Sequence, residues 1–156
     1  MLNSTIFKLH LLNIFNSPYL SHSNSLLFKQ ASFENCDFSR FSTAFFSSSA
    51  SSLQLSLSFS SFHQFLSSAI ITSSSKRINN PESSVHCYLC KFTNINAGEN
   101  SGGAIISTFP IFLDYCHIFE TTAKIGGAIS AYSSLQIRNT KIQRSTAFIF
   151  GLFEIS

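Results

Sequence analysis

Short apolar–polar alternations run along this chain, and each breaks in the same way. Leu53, Leu55, Leu57 and Phe59 occupy odd positions, whereas Phe62 is even. Val85 and Cys87 give way to Cys90 and Phe92, Ile111 and Leu113 to Cys116 and Ile118, Leu135 and Ile137 to Thr140 and Ile142. Side chains of a strand change face at every residue, so a slip of parity marks a corner or bulge between two strands. The β-branched and aromatic content suits strands, and no stripe at helical spacing persists.

The breaks recur because the chain repeats. Gly102-Gly103-Ala104-Ile105 returns 24 residues later as Gly126-Gly127-Ala128-Ile129, and Thr122-Ala123-Lys124-Ile125 returns at the same step as Thr146-Ala147-Phe148-Ile149. Cys90-Lys-Phe92 precedes the first glycine pair and Cys116-His-Ile118 the second; Thr140-Lys-Ile142, followed by Gly151, reads as a third copy. Cys36-Asp-Phe38 and Ser60-Ser-Phe62 are earlier, worn copies 24 residues apart. From Ser60 to Cys90 the step is 30, which places an insertion near residues 73–84, in the hydrophilic, Pro81-containing run Lys76 to Glu82.

Two strands flank the parity slip, and the Gly-Gly-Ala-Ile segment supplies a third after a turn that glycine permits. Three short strands per unit predict an all-β fold: a right-handed parallel β-helix of about four to five coils spanning 31–156, stacked ~4.8 Å apart. Residues 1–30 stand outside this repeat as a separate N-terminal segment. Two columns are expected: Cys36, Ser60, Cys90, Cys116 and Thr140 in one, Phe38, Phe62, Phe92, Ile118 and Ile142 beside it.

Composition narrows the function. The 156 residues include 18 Phe, 31 Ser and no Trp; 11% are charged, and only two of the seven acids are aspartates, Asp37 and Asp114. Such poverty in acids argues against a carboxylate-driven hydrolase or an oxygen-ligand metal site. The net charge of +3 comes from dispersed basic residues, without the stripe of a nucleic-acid binder. Polar breaks at Lys8, His10, Asn13 and Asn16 interrupt any secretion-signal core, and no run reaches the ~18 apolar residues of a membrane helix. Asn3-Ser4-Thr5 is an N-glycosylation sequon of the kind chance supplies. Serine runs such as Ser47 to Ser52 and Ser73 to Ser75 read as coil turns. Eighteen Phe exceed what thin coils can hide, so some are expected outside, where an apolar ladder favours a partner or aggregation.

Cys87-Tyr-Leu-Cys90, with His86, Cys116 and His117, has ligand types that suit zinc but lacks a second tightly spaced pair. Inward Cys90 and Cys116, one coil apart, read instead as small hydrophobes, with a disulfide as the further alternative. His10, His22, His63, His86 and His117 lack a recognisable nucleophile motif. Gly98 to Ser101 reads as a variable turn rather than a phosphate loop. No catalytic, cofactor-binding or metal-ligating residue is assigned, and the chain is not expected to be an enzyme.

Cys90-x-Phe92-x-Asn94 with Gly102-Gly103-Ala104-Ile105 resembles the paired Phe-x-x-Asn and Gly-Gly-Ala-Ile repeats of polymorphic outer membrane proteins, which are similar to pectate-lyase-like right-handed β-helices. The resemblance is clearest over Val85 to Ser130 and implies an extracellular or cell-surface address and adhesion rather than catalysis. The functional expectation is a non-catalytic surface or structural module that binds protein or glycan, through the Gly98 to Ser101 loop and the insertion around Lys76 to Glu82. End-to-end self-association is a further expectation; nucleic acid is not. Two alternatives stand beside it: a fragment of a longer repeat protein, and a polysaccharide-processing enzyme on the same fold.

Overall fold

The computed structural model describes residues 4–7, 10–12, 20–22, 30–74, 83–148 and 153–155, with side chains for 30–74 and 83–148. The proposed insertion at Lys76 to Glu82, Gly151 and the sequon asparagine Asn3 lie outside the described residues. Each winding contributes one strand to each of three parallel sheets. Sheet 1 stacks β1 (Ser4–Phe7), β4 (Gln30–Glu34), β7 (Gln54–Ser58), β10 (Ser84–Tyr88), β13 (Ile111–Asp114) and β16 (Leu135–Arg138). Sheet 2 stacks β2 (His10–Leu12), β5 (Asp37–Ser39), β8 (Ser61–Phe65), β11 (Lys91–Asn96), β14 (His117–Ala123) and β17 (Lys141–Gln143), with β18 (Thr146–Ala147) also on β14. Sheet 3 stacks β3 (Leu20–His22), β6 (Phe46–Ser48), β9 (Ile70–Thr72), β12 (Ile105–Ser107), β15 (Ile129–Ala131) and β19 (Phe153–Ile155). The whole is a right-handed parallel β-helix of about five turns. The first winding, β1 to β3, pairs in register with the second: Ile6 with Phe33, Leu11 with Phe38 and Leu20 with Phe46.

Register carries the 24-residue repeat into space. Gln54 pairs with Gln30, 24 residues earlier, whereas Ser84 pairs with Gln54 across 30, so the extra residues fall between β9 and β10. Inside sheet 1, Leu55, Val85, Ile111 and Leu135 form one inward column, and Leu57, Cys87, Leu113 and Ile137 another. In sheet 2, Phe38, Phe62, Phe92, Ile118 and Ile142 stand directly over one another. Parallel strands lie ~4.8 Å apart, so identical flat side chains at one register position must stack. The rings do so, with centroids 5.1 Å apart for Phe38–Phe62 and 4.9 Å for Phe62–Phe92. Phe41 and Phe65 make a second stack at 5.0 Å. Each buried ring contributes roughly 1.5–3 kcal/mol of hydrophobic stabilisation, and each ring pair about 0.5–1.5 kcal/mol more.

The corner between sheets 1 and 2 explains the parity slip. The residue before each corner side chain takes a left-handed conformation: Asn35, Phe59, Leu89, Tyr115 and Asn139, with φ of 53°, 50°, 52°, 53° and 49°. The next residue, Cys36, Ser60, Cys90, Cys116 or Thr140, turns its side chain back to donate to the carbonyl two residues earlier, at 3.3, 2.8, 3.4, 3.4 and 2.8 Å. Only a small side chain with an S–H or O–H does both jobs, filling the tight corner and satisfying a carbonyl. Phe59 departs from the sequence reading: parity grouped it with the inward leucines, but the left-handed turn swings it outward and leaves it 50% exposed.

A second left-handed column lies within sheet 2 at Arg40, Gln64, Asn94, Glu120 and Arg144, and it bends each winding toward sheet 3. Four of its members pair one coil apart, Arg40 Nε donating to Gln64 Oε1 and Arg144 to Glu120 Oε1. At the turn into sheet 3, Gly102 (φ 68°) and Gly126 (φ 56°) are left-handed, and β12 and β15 begin at the isoleucine that follows each Gly-Gly-Ala. A Cβ on Gly103 would collide with the carbonyl oxygen of Gly127 in the next coil.

Candidate binding surface

The outward positions of sheet 1 carry the chemistry. Ser32, Ser56, His86, Phe112 and Gln136 form one column, and Glu34, Ser58, Tyr88, Asp114 and Arg138 form the column nearer the corner. Between these columns, across the last three windings, lies a cleft of about 420 Å³. His86, Phe112 and Gln136 make one wall, and Tyr88, Asp114 and Arg138 the other, with Cys87 and Leu113 as the floor. His86 and Phe112 stack face to face at 4.4 Å and 13°. Burial against this neighbour lowers the His86 pKa below 6.5.

The corner beside the cleft adds an exposed aromatic run. Tyr88 meets Phe59 edge-to-face at 5.6 Å and Tyr115 at 6.1 Å. Phe59, Tyr88, Leu89 and Tyr115 are 50%, 43%, 40% and 53% exposed. Three of them occupy left-handed positions, which cost an ordinary residue ~1–2 kcal/mol and which asparagine tolerates best after glycine. The flanking members of that column, Asn35 and Asn139, are asparagines. In the middle of the column, then, the chain holds large apolar groups in water at backbone sites that disfavour them.

Charge on this face is unevenly matched. Asn139 Nδ2 donates to Asp114 Oδ1 at 3.2 Å and draws that carboxylate toward the corner. Arg138, next to Asp114 on the ladder, has no side-chain hydrogen bond or ion pair among the described residues. Lys91 and Lys141 stand just past the corner, at the start of β11 and β17.

The other candidate groups resolve differently. Cys36, Cys87, Cys90 and Cys116 are all free, buried thiols. Cys116 also approaches the Cys87 carbonyl at 3.3 Å, and its thiol pKa is pushed far up by its hydrogen bond to Cys90 and then by burial. For Cys90 the hydrogen bond from Cys116 pulls downward, but the bond to Cys87 and burial together outweigh it, and the net shift is upward. These thiols face the core while His86 faces the cleft, so the sheet divides the set that sequence offered as zinc ligands. Among the described residues no group of three or more His, Cys, Asp or Glu side chains could hold a metal ion. Ser61 Oγ donates to Asp37 Oδ1 at 2.6 Å, and His63 Nε2 lies 3.4 Å from the same oxygen. The acid therefore sits between hydroxyl and imidazole, whereas a nucleophile relay needs the imidazole in the middle.

The Gly98 to Ser101 loop is an ordered, exposed turn. Gly98 N–H donates to Asn96 Oδ1, Asn100 N–H to the Ala97 carbonyl, and Lys124 pairs with Glu99 at 2.8 Å. That lysine holds the Glu99 carboxyl below its usual range. Sequence reasoning named this loop and missed the sheet 1 face, whose only trace in the sequence is His86, Tyr88 and Phe112 at positions where strand alternation expects small polar residues.

No family model, curated protein or solved structure matches the chain. Among the described residues no helix is long and apolar enough to cross a membrane.

Proposed function

We propose that this chain is a non-catalytic binding module of a cell surface or extracellular assembly, and that it adheres through the outer face of sheet 1 and the adjoining corner. One observation carries the reading: Phe59, Leu89 and Tyr115 are exposed at left-handed sites where asparagine would cost less. Solubility disfavours such a choice and the edge contacts with Tyr88 do no more than offset the strain, whereas a partner that covers the rings favours it. Exposed aromatic groups on a rigid scaffold bind with little loss of conformational entropy. The resemblance of Cys90-x-Phe92 and Gly102-Gly103-Ala104-Ile105 to surface-adhesion repeats supports the same assignment.

Solid-phase binding of the purified chain to intact cell surfaces tests it. The chain is expected to adhere, a Tyr88→Ser/Phe112→Ser double variant to lose roughly tenfold or more, and Leu66→Ser, on another exposed site, to behave as the parent. Absence of adhesion, or equal loss in both variants, would overturn the proposal.

A further inference from the structure

We infer that the cleft on sheet 1 takes a carboxylated sugar, with the pyranose ring against the His86–Phe112 wall and the carboxylate on Arg138. The inference rests on the binding-module reading above and names its ligand class. A volume of about 420 Å³ lies within the range of small-ligand pockets, roughly 300–1,000 Å³. The imidazole and phenyl rings turn their faces to each other and give the cleft an apolar edge against which the C–H groups of a pyranose can be buried. The Gln136 amide and the Tyr88 hydroxyl line the same cleft and can both donate to and accept from sugar hydroxyls.

Charge selects among sugars. Asp114 accepts a hydrogen bond from the neutral Asn139 amide and keeps its charge beside Arg138 on the ladder, whereas the Arg138 guanidinium has no side-chain partner among the described residues. A planar guanidinium binds a carboxylate through two parallel N–H donors and with far better geometry than a lysine. Lys91 and Lys141, flanking the corner, add positive potential that draws an anionic ligand toward the face. A neutral glycan would leave the paired N–H donors of Arg138 without a matching acceptor. An acidic peptide would satisfy them but has no use for the ring wall. Sialic acid and hexuronic acid share the necessary chemistry, a carboxylate fixed to a six-membered ring.

The purified chain is titrated calorimetrically with sialyllactose, with a glucuronate-terminated tetrasaccharide and with lactose. At least one carboxylated sugar is expected to bind roughly tenfold or more tightly than lactose, with affinity falling as salt rises. Arg138→Ala should abolish that preference and Arg138→Lys restore part of it; which acid binds identifies the source. Equal affinity for acidic and neutral sugars, no binding of any at millimolar concentration, or an Arg138→Ala variant that keeps its preference would overturn the inference. If the titrations fail while aromatic-dependent adhesion to cell surfaces persists, the sugar assignment falls and the module reading stands; if adhesion is absent as well, both fall.

Discussion

Cys116 lies one coil from Thr140, and its backbone N–H donates to the Thr140 Oγ1 at 3.1 Å. Each of the two side chains also donates to the carbonyl two residues behind it, Cys116 to Asp114 and Thr140 to Arg138. Cys36 and Ser60 repeat the arrangement, Cys36 N–H donating to Ser60 Oγ at 3.2 Å. A hydroxyl therefore serves the corner in two ways: it closes its own turn, and it caps the neighbouring one.

This equivalence makes Cys116→Ser a mild change. Serine keeps the donor and nearly the volume, so stability should stay within about 1 kcal/mol of the parent. Cys116→Leu removes the donor and overfills a site that is 2% exposed, and should cost about 2–4 kcal/mol. Chemical denaturation of the two variants side by side checks the prediction.

The glycine turn should discriminate more sharply. Gly103→Ala sets a methyl against the Gly127 carbonyl of the next coil, and Gly127→Ala sets one against the Thr146 backbone. Backbone cannot step aside as a side chain can, so each should cost ~3 kcal/mol or more, or prevent folding. Gly98 also has a positive φ, but a Cβ there meets nothing within 4 Å. Gly98→Ala should cost only the left-handed penalty, ~1–2 kcal/mol. Thermal unfolding of the three variants orders them.

His86 sets a pH dependence. Burial lowers its folded pKa below the 6.5 of the unfolded chain, so the unfolded state takes up its proton first. Its contribution to stability is therefore complete above about pH 6.5 and is lost as pH falls from there through the folded pKa. Because His86 is exposed, solvent screening should keep the effect small. Unfolding midpoints of the parent should fall more steeply below pH 6.5 than those of His86→Gln; parallel curves would show that the imidazole contributes nothing.

The core was legible because packing restricts residue type. Inward columns hold apolar residues over one another, chiefly Phe, Ile and Leu, and the described corners hold Cys, Ser or Thr, so the repeat appears directly in composition. The first winding was not legible: the sequence has a leucine, not Cys, Ser or Thr, before His10, although β2 pairs with β5. The second left-handed column was hidden because Arg40, Gln64, Glu120 and Arg144 carry no glycine signal and hold their turn through the ladder alone. Phe59 was misplaced by parity because one left-handed residue reverses the face. The cleft was invisible for a related reason: outward positions such as Ser56, His86, Phe112 and Gln136 share a register but no residue type, and only the stacked coils bring them together.

If the exposed aromatic corner is kept for recognition, relieving its backbone strain must separate stability from binding. In Phe59→Asn and Tyr115→Asn the left-handed penalty falls by about 1 kcal/mol, which offsets the lost edge contact with Tyr88. The melting temperature of each should be unchanged or up to about 2–4 °C higher, while adhesion to cell surfaces drops roughly tenfold. Variants that melt several degrees lower yet adhere as well as the parent would contradict the account.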